Sequence, residues 1–274
     1  MGTLFLVATP IGNLEDISAR ALRVLREVNQ VLVEDTRHTA RLLNHYEIHT
    51  SMLSYHEHNK TQRQERVLAA LAEGDVALVS DAGTPALNDP GYELVCAALQ
   101  AGYTVTPIPG PCAPIAALVA SGLPTDAFLY LGYLPRKRTE RERLLVSISS
   151  QPYTLIFLET PHRLMSALED LCATLGDRQV SVARELTKLH EEIFRGTLAQ
   201  ALERFTARPP KGEITLVIAG IPAQKFRWSE AALLDALSTA STTGQPAAQI
   251  ARQFARLSGW SKSEIYTLLL EMNP

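Results

Sequence analysis

Apolar and polar positions change rhythm along this chain, and the changes mark its elements. Residues 3–8 form a short β-rich run, and 31–34, 52–55, 76–80 and 104–108 repeat that signature. Between these runs the apolar spacing becomes helical. Over residues 16–28, Ile17, Ala21, Val24, Leu25 and Val28 fall on one face, with Asn13 or Asp16 as candidate caps. Further helices are predicted at 39–46, 62–72, 92–100 and 113–120. Strands alternating with helices imply a largely parallel sheet covered on both faces.

The pattern restarts around Gly122 to Thr125. Strands at 128–133, 154–158, 179–184 and 214–219, with helices at 140–147, 162–175 and 198–205, predict a second α/β domain. After Gly220-Ile221-Pro222 the composition changes, and three short helices are expected at 229–238, 247–257 and 261–272, with Ser229 and Ser261 as caps. The expected organisation is an N-terminal α/β domain (1–122), a second α/β domain (123–222) and a C-terminal helical segment (223–274).

Composition narrows the class. With 274 residues, 46% hydrophobic and 20% charged, the chain suits globular domains that bury their own cores. Its longest nearly apolar run, 113–123, is too short to span a bilayer. Residues 1–9 have neither a basic leader nor a small-residue cleavage site, so the cytoplasm is the expected compartment. Cys96, Cys112 and Cys172 lie far apart without metal spacing and are expected to be reduced and buried.

A net charge of −3 excludes a protein that coats nucleic acid with its whole surface; any RNA contact needs a local basic patch. The densest basic stretch is 136–143, where Arg136, Lys137, Arg138, Arg141 and Arg143 face Glu140 and Glu142. These cations suit RNA phosphates, and equally suit a solvated helix start held by Glu–Arg pairs. Trp228 and Trp260 are expected as core anchors.

Three strand ends in the first domain carry Pro- and Gly-rich loops: 9–14, 80–85 (continuing to 88–91) and 109–111. Ligands of open α/β sheets bind at such ends. Glycine there permits close backbone approach and proline stiffens the loop, although both also punctuate ordinary turns. No G-x-G-x-x-G follows the first strand and no P-loop occurs, so the usual phosphate cradles are missing. His56-Glu57-His58 offers two metal ligands and no third, so no metal site is expected.

Taken together, Ala8-Thr9-Pro10-Ile11-Gly12-Asn13-Leu14, Glu34-Asp35-Thr36-Arg37, Ser80-Asp81-Ala82-Gly83-Thr84-Pro85, Asp89-Pro90-Gly91 and Pro109-Gly110-Pro111 resemble the ribosomal RNA small subunit methyltransferase I family, a branch of the tetrapyrrole methylases. The likeness extends to Tyr55–Asn59, Ala183–Lys188 and Lys211-Gly212-Glu213. It implies two α/β domains of tetrapyrrole-methylase type with a cofactor cleft between them. It also implies a homodimer that uses S-adenosyl-L-methionine to methylate the 2′-hydroxyl of a cytidine in the decoding region of 16S rRNA, on the assembled small subunit. The resemblance carries Thr9, Pro10, Ile11, Gly12, Asn13, Asp81, Ala82, Gly83, Thr84, Pro85, Pro109, Gly110 and Pro111 over as the cofactor's first-domain wall, and Leu158, Glu159 and Thr160 as the closing segment. Relatives that modify tetrapyrroles carry a G-x-G-P-G-D first loop; Thr-Pro-Ile-Gly-Asn-Leu here favours the RNA branch. The competing readings are a precorrin-like tetrapyrrole methylase and a non-catalytic RNA-binding ribosome-assembly factor.

A ribose hydroxyl is a poor nucleophile, so a nearby base would help its methylation. Candidates at the cleft rim are Glu34, Asp35, Arg37, His38, His56 and His58. Glu34-Asp35 reads equally as a cap for a helix at Thr36 or as a partner of Arg37. Arg184-Glu185 either faces the same cleft or forms an ion pair. The residues alone do not choose a base.

Overall fold

The computed structural model describes residues 2–221, 227–242 and 245–272. The chain divides into two compact units, Met1–Gly220 and Ile221–Pro274. The domain boundary expected at 222/223 lies outside the described residues.

The first sheet contains β1 (Thr3–Val7), β2 (Gln30–Val33), β3 (Met52–Ser54), β4 (Val76–Leu78) and β5 (Thr104–Ile108). Its order is β3-β2-β4-β1-β5, with every pair parallel. Helices α1 (Ala19–Glu27), α2 (Thr36–His45), α3 (Lys60–Glu73) and α4 (Tyr92–Gln100) connect the strands. Side chains alternate along β2: Val31 and Val33 join a cluster with Val24 and Leu25, whereas Leu32 joins Leu71 and Leu94. Both faces of the sheet are therefore buried.

Two helix starts differ from the sequence expectation. The helix expected from residue 16 begins at Ala19, because the Ser18 hydroxyl accepts the Ala21 N–H at 3.1 Å; Leu14–Asp16 is a separate 3-10 turn capped by Asn13. Helix α2 begins at Thr36 rather than 39, because Asp35 caps it.

Helix α5 (Ala113–Ser121) leaves the first sheet and settles on the second. Its Ala117 and Leu118 are buried with Ile156, Ala183 and Val217. The second sheet contains β6 (Phe128–Tyr133), β7 (Thr154–Glu159), β8 (Gln179–Arg184), β9 (Glu192–Thr197) and β10 (Ile214–Ile218), in the order β6-β7-β10-β8-β9. Only β6 and β7 run parallel; the remaining pairs are antiparallel. Edge strand β9 is an addition to the sequence expectation, since its Glu-Ile-Phe-Arg-Gly-Thr sequence lacks a clean apolar alternation. Helices α6 (Arg138–Ile148), α7 (Pro161–Leu175) and α8 (Leu198–Ala207) cover the face opposite α5, around Leu145, Phe157, Leu168 and Leu216.

The basic stretch at the start of α6 divides into three kinds of residue. Arg141 is not available to RNA, contrary to expectation. It turns inward with its side chain 7% exposed, places Nη2 2.5 Å from Asp170 Oδ2, and donates to the Pro135 carbonyl. Lys137 and Arg138 stay exposed and pair with Glu140 and Glu142. Arg136 and Arg143 have no ion pair among the described residues.

The second unit is a helical cluster of its own. Helices α9 (Glu230–Ser241), α10 (Ala247–Ser258) and α11 (Lys262–Met272) bury Leu233, Leu237, Ile250, Ala251, Ile265 and Leu269. Trp228 and Trp260 pack against that core, and the Trp260 indole donates to the Trp228 carbonyl at 2.9 Å. Among the described residues no helix is long and apolar enough to cross a membrane.

The Arg141–Asp170 pair gives a stability prediction. Asp170→Ala would strand a buried guanidinium, and breaking a buried pair from one side costs about 3–5 kcal/mol. Urea unfolding followed by circular dichroism should show that loss. A change below about 1 kcal/mol, the worth of an exposed pair, would show that Arg141 remains hydrated.

A candidate active-site cleft between two sheets

The carboxyl ends of β1, β4 and β5 are tied into one wall by the loops that leave them. Thr9 and Gly83 exchange backbone hydrogen bonds of 2.9 and 3.0 Å, and the Thr9 hydroxyl donates to the Ser80 carbonyl at 3.1 Å. Thr84 Oγ1 donates to the Pro111 carbonyl at 3.0 Å, joining the second loop to the third. Gly83 sits at φ +85°, a left-handed conformation that side chains disfavour. Farther along, Ala86 and Asn88 adopt φ 65° without being glycine, the kind of strain that collects at ligand sites.

This wall bounds a cavity of about 220 Å³. From the residues expected to hold a cofactor, Ile11, Asp81, Ala82, Gly83, Thr84 and Leu158 line it. Thr9, Pro10, Gly12, Asn13, Pro85, Pro109, Gly110, Pro111 and Thr160 do not line it. Thr9 and Pro111 instead brace the residues that do. Gly12 serves the contact between loops. A Cβ there would collide with the Lys188 side chain, so glycine lets the first loop touch the β8–β9 connection.

Glu159 requires a correction. Strand alternation turns Leu158 toward the cavity and Glu159 to the opposite face. The Glu159 side chain is fully buried, accepts the Thr160 N–H at 2.8 Å and lies 3.4 Å from Arg163 Nε. Burial raises its pKa, opposed by Thr160 and Arg163. It supports α7 and cannot reach a ligand in the cavity.

Several lining residues are absent from the cofactor wall expected from the sequence, although Asn88 and Asp89 belong to one of its three loops. Leu87, Asn88 and Asp89 follow β4, Cys112 opens α5, and Tyr130 and Tyr133 come from β6. The second sheet adds Ala183, Leu186 and the segment Glu213 to Thr215. Asp89, Ala183, Leu186 and Glu213 stand inside the motifs that carry the family resemblance, but only the fold shows that they converge. The Tyr130 hydroxyl donates to Asn88 Oδ1 at 2.6 Å and so joins the two walls.

Charge in the cavity has one sign. Glu34, Asp81, Asp89 and Glu213 line it, and no lysine, arginine or histidine among the described residues does. Burial raises the Glu34 pKa, and Asp81, Asp89 and Asp35 push it further. Burial likewise raises Asp89, reinforced by Asp81 and Glu213 and opposed by a hydrogen bond from Ser80. Such a wall repels anions and favours a cationic ligand.

The other catalytic candidates stand apart. Asp35 accepts the Arg37 N–H at 2.8 Å and pairs with its guanidinium at 2.9 Å, which lowers its pKa to about 2. Arg37 points to solvent. His38 Nδ1 lies 3.9 Å from Asp81 Oδ1 at the rim. His56 and His58 precede α3 with ring centroids 6.0 Å apart, and His56 is held by Asn59. Arg184 pairs with Glu192 at 2.6 Å, and Glu185 with Lys188 at 2.9 Å. Of Glu34, Asp35, Arg37 and His56, only Glu34 lines the cavity. Among the described residues no group of three potential metal ligands occurs.

Two α/β sheets thus place an acidic cleft at their strand ends, where open α/β folds bind small ligands. The model of the family Tetrapyrrole (Corrin/Porphyrin) Methylases matches residues 3–202. Among solved structures, the chain is similar to diphthine synthase, with TM-score 0.63 and 16% identity over 80% of this chain and 90% of that one. It is also similar to uroporphyrin-III-C-methyltransferase from Thermus thermophilus, with TM-score 0.55 and 20% identity over 81% and 96%. At such identities the likeness concerns the fold alone.

Sequence relatives are nearer. The chain is 48% identical over 275 residues to ribosomal RNA small subunit methyltransferase I of Synechocystis sp., covering 99% of each chain. It is 45% identical over 276 residues to the protein of that name from Escherichia coli O157:H7, covering 98% and 95%. The chain therefore belongs to the ribosomal RNA small subunit methyltransferase I family within the tetrapyrrole methylases.

The crowded carboxylates predict a trade between stability and binding. Because the Glu34 pKa is raised, its proton stabilises the fold at low pH, and that contribution is lost as pH rises through the folded-state value. Glu34→Gln should therefore raise the melting temperature of the ligand-free protein at about pH 7, with little change below about pH 4. A lower melting temperature at neutral pH would show that the carboxylate is favourably solvated instead.

Proposed function

We propose that this protein is an S-adenosylmethionine-dependent methyltransferase that modifies the ribose 2′-hydroxyl of a cytidine in the decoding region of 16S rRNA. Its substrate is the assembled small subunit, it works in the cytoplasm, and it acts as a homodimer. The observation that carries the cofactor assignment is the cleft wall, in which every charged group is a carboxylate. A sulfonium nucleoside with an ammonium group suits such a wall; a pyrophosphate does not. Ile11, Ala82, Gly83 and Leu158 would hold its uncharged parts, and Asp81 or Asp89 its cationic groups.

The cavity is smaller than the roughly 300–1,000 Å³ of typical ligand clefts, so a bound nucleoside would fill it and extend through its mouth. When bound, the cofactor supplies a transferable methyl carbon on sulfur, without need of a metal. The protein's principal contribution is positional: two walls braced at Thr9–Gly83, Thr84–Pro111 and Tyr130–Asn88 hold the reacting groups in line. Glu34 and Asp89, whose burial makes them stronger bases, are the candidates to receive the hydroxyl proton.

The names of the relatives support the RNA substrate. The acidic cleft also disfavours the tetrapyrrole alternative, since macrocycles that carry carboxylate side chains would meet like charge. Labelled S-adenosylmethionine incubated with purified small subunits should transfer methyl to 16S rRNA at a ribose oxygen of cytidine. Transfer to a porphyrinoid instead would sink the RNA reading, and binding to subunits with no transfer would leave the assembly-factor reading.

The loop assignment makes a separate prediction. Gly83 has open space beside it, Ile11 Cγ2 lying 3.4 Å from where a Cβ would stand, but its φ of +85° penalises any side chain. Gly83→Val should strain the loop, fill the cavity and weaken S-adenosylmethionine binding by tenfold or more, an estimate of roughly 1.4 kcal/mol. Calorimetry showing unchanged affinity would remove this loop from the cofactor site.

A further inference from the structure

A second concavity lies on the other face of the second sheet and has the opposite charge. It has a volume of about 320 Å³, and its charged lining is Arg184, Arg204, Arg208 and Lys211 against Glu185 and Glu192, with His190 beside them. These residues come from two short segments, 184–192 and 204–211. The fold brings them together where β8 ends, α8 closes and β10 begins. Glu192 binds both Arg184 and Arg204, so one carboxylate orients two guanidiniums side by side. Arg208 and Lys211 flank Pro209-Pro210, whose rings stiffen the loop between them. Arg208, Lys211 and His190 have no ion pair among the described residues.

The groove is also connected to the cleft. Arg184 pairs with Ile214 across β8 and β10, and Ile214 lines the acidic cavity while Arg184 lines the basic one. Lys188 bridges Glu185 and Glu213 at 2.9 and 3.2 Å, and the Glu213 N–H donates to Glu185. One short segment, Lys211 to Glu213, thus lies between the acidic cleft and the basic groove.

We propose that this groove grips backbone phosphates of the RNA strand whose target ribose enters the cleft, with Arg208 and Lys211 as its free cations. The inference rests on the RNA reading above and adds where the strand is held. Planar guanidiniums fixed in a fork suit phosphate oxygens, and such contacts set register without reading bases. Groove and cleft share the ends of the same strands, so a strand held at one can present a neighbouring sugar at the other. The stretch 136–143 also retains two unpaired cations among the described residues, Arg136 and Arg143, but both lie exposed around one helix start rather than in a concavity.

The test is the double variant Arg208→Gln/Lys211→Gln, compared with wild type and with Arg23→Gln, a surface arginine on α1. Binding to purified small subunits is measured against salt, methyl transfer is measured for KM and kcat, and S-adenosylmethionine affinity is measured by calorimetry. Each phosphate contact contributes about 0.7–0.9 to the slope of log affinity against log salt. The double variant should therefore lose about 1–2 from that slope and at least tenfold in affinity. KM for subunits should rise while kcat and cofactor affinity hold, and Lys211→Arg should retain the wild-type slope. Wild-type protein that neither binds nor methylates subunits overturns the RNA reading itself. Wild-type binding with an unchanged double variant overturns the groove alone. A weaker double variant with an unchanged salt slope also overturns it, because the lost contact would then be to something other than phosphate.

Discussion

The structure depends on helix α5, which packs on the second sheet while the loop that leads into it is tied to the first. The loop that leads into it, Pro109-Gly110-Pro111, is anchored to the first sheet through Thr84. The helix itself buries Ala117 and Leu118 in the face of the second sheet. That apolar contact sets the strand ends of one sheet opposite those of the other. Its burial is hydrophobic and therefore insensitive to the charges nearby, which lets the cleft wall collect carboxylates that would otherwise push the sheets apart. Glu34 and Asp89 hold raised pKa values because both are partly buried and face neighbouring carboxylates.

Much of this is legible in the sequence, and the misses have physical causes. Strand 179–184 coincides with β8, whose buried interior reads as a clear apolar run; 104–108 and 128–133 coincide with the edge strands β5 and β6, although each has a single buried residue. Edge strand β9 escapes such a reading because none of its residues is fully buried. The start of α1 lies later than the apolar pattern suggests, because Ile17 continues the apolar face while Ser18, one residue on, supplies the cap. Periodicity marks the face of a helix; the capping hydroxyl marks its end.

At the candidate site, the sequence shows which loops matter better than which side chains face the ligand. Period-two alternation decides Leu158 against Glu159, and the notation of a motif carries no faces. Thr9 and Pro111 are bracing residues, and Gly12 is a contact between the two walls; each looks like a ligand residue when read in line. Arg141 shows the same limit for charge. Within a run of five cations it reads as surface, yet its helical position turns it beneath Asp170. The converse holds for Arg184, which only the fold brings to Arg204, Arg208 and Lys211.

The net charge of −3 conceals how charge is arranged. Enzymes that join a cationic donor to a polyanionic acceptor must attract both without letting either occupy the other's place. Here the separation follows from sheet geometry, since alternate residues at the ends of β8 and β10 face opposite sides. Ala183 and its cross-strand partner Thr215 border an acidic cavity, while Arg184, one residue on, turns into a basic one. The Glu185–Lys188–Glu213 linkage between them is internally neutralised in part, so neither field spreads far through it. On the proposed reading, this sheet edge is what would keep a cationic donor and a polyanionic strand apart while their reacting atoms meet.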